Sequence, residues 1–366
     1  MVQLDAGAAS PAARPKPRLM RIPGLRRLIR PALRLRSRLR REAIILTYHR
    51  VADASLDPHK ICVSPHNFAE HLEVLGKRWN PISLQGLTEK LNAGGMPHRA
   101  VVLTFDDGYV DNLSNAAPLL SKFNVPATVF VTTGDIGRDR AFWSDDLAQL
   151  LFGPEVLPGR LRLSIGGEVC EWSFEGATYK NDEEAAKHRR WSMDQADLGP
   201  REVAHRALHK LLRPMPHSSR MEILRQLAEW TGSEPVPQPG HRVMRPTELL
   251  QLAKSGLVEI GAHTVTHPML FSLSPEQQKW EIWESKAQLE KILQREITKF
   301  AYPYGGPADY DAGTVDLVRE AGFTCACSTS TGLVGPRADR FQMPRFHVVD
   351  CDGNQFEKVL EGWFLS

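Results

Sequence analysis

Short, almost wholly apolar runs alternate with amphipathic segments along most of this chain, and that alternation constrains its fold more than any other feature. "AIILTYHRV" (43–51), "AVVLTF" (100–105) and "PATVFVT" (126–132) read as strands that are apolar on both faces. Strands of that kind belong to parallel sheets covered by helices. Between them, "SPHNFAEHLEVLGKRW" sets Phe68, Leu72 and Leu75 at helical spacing behind Ser64 as N-cap. "ISLQGLTEKLNAGG" reads as a short strand and a helix closed by Gly94-Gly95, and "NAAPLLSKFN" reads as a further helix. Strand–helix–strand–helix order predicts a parallel α/β sheet or barrel.

Residues 138–245 break the rhythm. They carry a helix ("AFWSDDLAQLLF"), a hairpin ("RLRLSIGGEVCEWSF"), a charged stretch and two more helices, one of them with Val203, Ala207, Leu208, Leu211 and Leu212 on one face. The alternation resumes with the strand "LVEIGAHT", a long helix from Pro275 to about Gln294, the strand "KFAYPYG", a helix, the strand "FTCACST" and a closing helix "NQFEKVLEGWF". This gives four parts: a basic tail (1–42), a first α/β part (43–137), an insertion (138–245) and a second α/β part (246–366). At 366 residues with 42% apolar content, the chain has material for a large core.

The net charge of +3 conceals an asymmetry. Residues 1–41 hold twelve Lys/Arg and one acid, a net +11, so the rest of the chain carries −8. The tail has no seven-residue apolar run, unlike a secretory signal, and no segment reaches the eighteen apolar residues of a membrane span. Leu25, Leu28, Ile29 and Ala32 fall at helical spacing among arginines. Residues 14–41 therefore suit an anionic membrane surface, although Pro23, Gly24 and Pro31 oppose one continuous helix and a solvated tail fits equally. An acidic body gives no sign of a nucleic-acid-binding face. The five cysteines form no paired framework, and Cys325 and Cys327 read as small buried residues on a strand. The expectation is a cytoplasmic protein, peripheral at the inner membrane if the tail engages it.

Two strand ends carry chemistry. "VVLTFDDGY" runs straight into Asp106 and Asp107, two like charges that repel unless something positive lies nearby. "EIGAHTVTHPML" places His263 and His267 four apart past another strand. Alone, such a pair reads as two structural histidines. Both motifs, however, end strands, and in parallel α/β barrels ligands bind at the C-terminal end of the sheet. Two neutral imidazoles and one carboxylate would hold a divalent ion with a position open for water, leaving the second aspartate free as a base.

"TFDDGY", "HTVTHP" and "FAYPYG", in that order, resemble the first three motifs of the polysaccharide deacetylase family, the domain of NodB-type chitooligosaccharide deacetylases. The resemblance covers roughly residues 43–137 and 246–364. It implies a distorted, TIM-like NodB (β/α) barrel interrupted by a mainly helical insertion. It also implies a hydrolase that removes N-acetyl groups from amino sugars with a divalent metal. Carried over, Asp106 is the general base and Asp107, His263 and His267 are the metal ligands. Tyr302, Pro303 and Tyr304 shape the sugar groove, with the Tyr304 N–H on the oxyanion, a donor worth about 3–4 kcal/mol in enzymes generally. The ligand set suits Zn²⁺ first, with Co²⁺, Mn²⁺, Ni²⁺ or Fe²⁺ compatible.

The chain also departs from the family. Many members begin the third motif with an arginine that holds the base; here Ala301 stands there. Arg345, in "MPRFHV", is the best substitute, its bland alternative being a surface ion pair. The general acid is either His347 in the same segment or His49 in "LTYHRV", which resembles the first strand of deacetylases acting on poly-N-acetylglucosamine. If Arg345 and His347 share a strand they share a face. Phe142, Trp143, Trp172 and Trp191 of the insertion read mainly as core, with capping of the groove as the alternative. The expected substrate is an N-acetylated glycan of chitooligosaccharide or exopolysaccharide type. A lipid-linked N-acyl or formamido sugar and a non-catalytic carbohydrate-binding role are the alternatives.

Overall fold

A computed structural model describes residues 42–234 and 240–365. The first part contains strands β1 (Ala43–Tyr48), β2 (Arg50–Val51), β3 (Cys62–Val63), β4 (Asn80–Pro81), β5 (Ala100–Phe105) and β6 (Ala127–Val131). Helices α1 (Pro65–Arg78), α2 (Leu84–Ala93) and α3 (Ala117–Phe123) lie between them. The middle holds α4 (Trp143–Phe152), the antiparallel hairpin β7 (Arg160–Ile165) and β8 (Glu168–Ser173), then α5 (Asp182–Arg189), α6 (Pro200–Leu212) and α7 (His217–Thr231). The last part runs α8 (Pro246–Ala253), β9 (Val258–Ala262), α9 (Pro275–Leu293), β10 (Lys299–Ala301), α10 (Ala312–Glu320), β11 (Cys325–Cys327), β12 (Phe346–His347) and α11 (Gly353–Leu365).

The main sheet has the order β11-β10-β9-β6-β5-β1-β12, with β4 beside the start of β5, and every pairing is parallel. The sheet curls until it meets itself. Met343 bonds to Ala326 and Ser328 around β11, while Phe346 and His347 pair with Leu46 and Thr47 of β1. One short segment thus closes the barrel, and the expected NodB-like architecture is present.

The strand period of two explains what faces where. Ile44, Leu46, Val101, Leu103 and Phe105 pack outward with helix residues Phe68, Leu72 and Ile282. Ala43, Ile45, Ala100, Val102, Ala301, Cys325 and Cys327 pack inward, plugged by Leu84 and Leu87 of α2. Burial raises the thiol pKa of Cys325, to about 12, as it does that of Cys327, which suits inert filling residues. Extending the same period, Thr104 and then Asp106 continue the inner face at the C-terminal mouth.

The middle region has its own apolar cluster, running from Trp143 to Leu227. The buried face of α6 is Ala204, His205, Leu208 and Leu212, whereas Val203 is exposed. A hydrophobic reading of this helix therefore misses a fully buried histidine. Among the described residues no helix is long and apolar enough to cross a membrane. The basic tail expected to meet a membrane surface lies outside the described residues.

Candidate active site

Asp106 and Asp107 both face the mouth of the barrel because the chain turns over between them. Asp107 has a left-handed backbone, φ 74°, immediately after the strand. A non-glycine residue in that region is held there against its preference, a pattern that clusters at functional sites. Thr264, His267 and Tyr304 share it, at φ 63°, 53° and 59°.

The Asp106 carboxylate is buried and gripped by Arg345. The guanidinium donates to Oδ1 and Oδ2 at 2.7 Å each, and also to Thr104 Oγ1 (3.1 Å) and the Ser328 carbonyl (2.9 Å). Burial alone would raise the Asp106 pKa; the charge of Arg345, helped by His263, overrides it and holds the group well below the usual carboxylate range. Arg345 is itself buried on the closing segment, so it is not a surface ion pair. Asp107 has the opposite fate. Burial, then the neighbouring Asp106 charge, pushes its pKa well up, and its Oδ1 has no hydrogen-bond partner.

The two histidines turn ring nitrogens toward that orphaned oxygen. His263 Nε2 lies 3.6 Å and His267 Nε2 3.4 Å from Asp107 Oδ1. His263 Nδ1 sits 2.7 Å from the Ala301 carbonyl. A carbonyl only accepts, so Nδ1 carries the hydrogen and Nε2 keeps its lone pair. Burial lowers the pKa of both imidazoles and keeps them neutral. Ligands at about 2.0–2.1 Å around a tetrahedral ion stand about 3.4 Å apart, close to the spacings seen. The Asp107–His263–His267 group therefore fits a divalent ion, and it is the one group with that capacity among the described residues. The loop bearing His267 is fixed by Glu281 of α9, whose carboxylate accepts from the Val265 and Thr266 N–H groups (2.8 and 2.9 Å) and from the Thr266 hydroxyl.

A cavity of about 380 Å³ opens over this group, lined from the barrel side by both aspartates, His263, His267, Arg345, His49 and His347. His49 and His347 stand edge to face, 5.5 Å between centroids. His347 Nε2 is bonded to the Lys60 carbonyl at 3.0 Å, while His49 Nδ1 is buried without a partner. Burial lowers the His49 pKa to about 3.

The "YPYG" loop divides. Tyr304 lines the cavity, its ring 4.7 Å from that of His267. Tyr302 does not. It is buried in the outer layer, stacked on Tyr310 at 4.0 Å and donating to the Phe341 carbonyl. Pro303 is also buried and off the cavity lining. The groove expected from three residues of this loop thus has one of them on its wall.

The insertion supplies the facing wall. Phe142 and Trp143 line the cavity, joined by His209 and Arg213 of the α6 end, with His59 beside them. Trp191 is buried against Phe152 instead, and Trp172 packs on the insertion core. Trp143 stacks on His209 at 5.1 Å and meets the Arg220 guanidinium at 5.4 Å, so it is a wall more than an open platform. Sequence reading missed His59, His209 and Arg213. The one available signal was the spacing of His205 and His209, four apart on the buried side of α6.

The family profile described as polysaccharide deacetylase matches residues 93–156 and 225–326. A poly-β-1,6-N-acetyl-D-glucosamine N-deacetylase of Escherichia coli K12 is 30% identical over 118 residues, 31% of this chain and 16% of that relative. The match thus spans only a small part of that protein. Among solved structures, the Streptococcus pyogenes deacetylase PplD, in complex with acetate, aligns over 88% of this chain and 98% of its own (TM-score 0.52, 17% identity). IcaB from Ammonifex degensii aligns over 89% and 97% (TM-score 0.51, 17% identity). At these identities the structural likeness bears on the fold.

Proposed function

From the match of residues 93–156 and 225–326 to the polysaccharide deacetylase profile, we propose that this chain hydrolyses the acetamido group of an N-acetylated amino sugar within a glycan, giving acetate and a free amine. One observation carries the reading. A carboxylate clamped in its ionised form by Arg345 stands next to a second carboxylate that two neutral histidines face.

Asp107, His263 and His267 would hold a divalent ion, and two imidazoles with one carboxylate favour zinc over magnesium or calcium. Such an ion supplies Lewis-acid polarisation and a more acidic water. Asp106 accepts the proton of the attacking water at a carboxylate oxygen. Its depressed pKa keeps it ionised and ready to accept that proton. Arg345 keeps the two Asp106 oxygens in one orientation. The Tyr304 N–H, at a left-handed corner of the cavity, faces the developing charge on the carbonyl oxygen. His49, left neutral by burial and with its Nδ1 unengaged, takes over the proton that Asp106 removed from the water and passes it to the departing amine, so the proton lost by the water is the one the amine gains.

A test uses acetate release from N-acetylglucosamine oligomers, β-1,6- and β-1,4-linked, with N-formyl sugars in parallel and zinc or cobalt added. Wild type is expected to release acetate, and Asp106→Asn to lose at least about 100-fold in kcat while keeping its metal content. Turnover by the Asn variant at the wild-type rate contradicts the base assignment. No release from any N-acyl sugar would favour a carbohydrate-binding role for the same cavity.

A further inference from the structure

We propose that Arg220, on the insertion helix α7, is a positioning residue for the loop that carries His267, so that the insertion is part of the catalytic apparatus. The proposal rests on the reading that Asp107, His263 and His267 hold a divalent ion.

Arg220 is fully buried, yet no carboxylate lies within ion-pairing distance of it among the described residues. Its guanidinium donates to the Thr266 carbonyl at 2.8 Å and to the His267 carbonyl at 3.2 Å. Its Nε is buried without a partner. A helix that merely had to dock would do better with an apolar side chain, because burying an unpaired cation is costly. Here the charge is spent on two backbone carbonyls of the ligand-bearing loop.

That loop needs holding. Thr264 and His267 are both left-handed, and Thr264 Oγ1 accepts from the His267 N–H at 3.2 Å. Glu281 takes the loop's N–H groups. Arg220 takes its carbonyls, so an anion and a cation grip complementary groups of the same turn. Arg213 treats the neighbouring loop similarly. Its guanidinium sits 4.4 Å over the Tyr304 ring and pairs with Asp309, which in turn accepts from the Gly306 N–H. Both arginines lie between the two segments that the family profile matches, so these contacts come from the region that interrupts the α/β alternation.

The experiment titrates metal-free full-length protein with Zn²⁺ and with Co²⁺, following affinity and the cobalt absorption spectrum well below the melting temperature. Wild type, Arg220→Lys, Arg220→Gln and His263→Ala are compared. Groups that orient metal ligands from behind typically matter about 10–100-fold in affinity. Arg220→Gln is expected to fall in that range with an altered cobalt spectrum. Arg220→Lys, which lacks the planar fork that spans two carbonyls, is expected to lose about tenfold. A structural role alone would lower the melting temperature and leave affinity and spectrum unchanged, and that result overturns the proposal. If Arg220→Gln does not fold, wild-type affinity in Arg220→Lys overturns it equally. If His263→Ala weakens binding and the arginine variants do not, only this proposal fails. If wild type itself binds neither ion, the metal reading fails and this proposal with it.

Discussion

Asp106 owes its ionised state to one arginine that comes from far along the chain, and that dependence is measurable. Burial favours the neutral acid, and Arg345 reverses the balance. The folded pKa is therefore depressed: the ionised form is favoured at all pH values above the ordinary carboxylate value of about 3.9, and is lost only as pH falls through the lower folded value. In Arg345→Met burial acts without its main opponent, so the carboxyl takes up a proton at higher pH. The acid limb of the kcat/KM profile is expected to move upward, and stability to fall by about 3–5 kcal/mol as a buried pair is broken. An unchanged acid limb in a folded variant would contradict the assignment. The pairing was legible in part: Ala301 announced a missing arginine, and Arg345 was the candidate to replace it. The bidentate geometry was not legible, because it depends on a two-residue strand closing the barrel. Asp107, His263 and His267 were readable because each motif ends an apolar strand. Arg220 was not, because its partners are carbonyls, and any residue has one.

At the scale of elements, the apolar runs 43–48, 100–105 and 127–131 were readable because strands buried on both faces leave little else for such a run to be. The strand at Phe346–His347 was hidden in a segment containing Pro344 and a histidine, where no periodicity can show. The turn at 304–305 shows how backbone shape serves the site. Gly305 has φ 63°, and a Cβ there would meet the Thr329 nitrogen at 2.8 Å. That neighbour is backbone and cannot swing aside. Gly305→Ala is expected to cost about 1–3 kcal/mol, and to reduce kcat more than KM by shifting Tyr304, whose carbonyl accepts from Thr329. Equal changes in kcat and KM in a stable variant would argue that Tyr304 only binds substrate. On α6, periodicity located the helix but favoured Val203 over His205, since hydrophobic scales pass over a histidine whose two ring nitrogens are buried without partners.

For the molecule as a whole, charge is divided unevenly along the chain. The twelve basic residues of 1–41 precede a body of net −8, and the catalytic mouth lies in that body. An acidic body is repelled by an anionic surface, so membrane attraction has to come from the tail. Each basic residue near such a surface contributes about 1 kcal/mol, and the effect fades beyond about 10 Å at 0.1 M salt. We therefore expect the full chain to sediment with vesicles containing phosphatidylserine and to be released by 0.5 M salt. Protein lacking residues 1–41 should stay in solution while its acetate release from soluble oligomers is unchanged. Neutral vesicles serve as the control: binding to them at any salt would indicate apolar insertion by Leu25, Leu28 and Ile29. Full-length protein that ignores anionic vesicles would leave the tail without a membrane role. Lost activity on soluble substrate after truncation would place the tail at the site. The separation matters for substrate, because a surface-held enzyme meets glycans carried on or near lipid at a far higher local concentration than free ones.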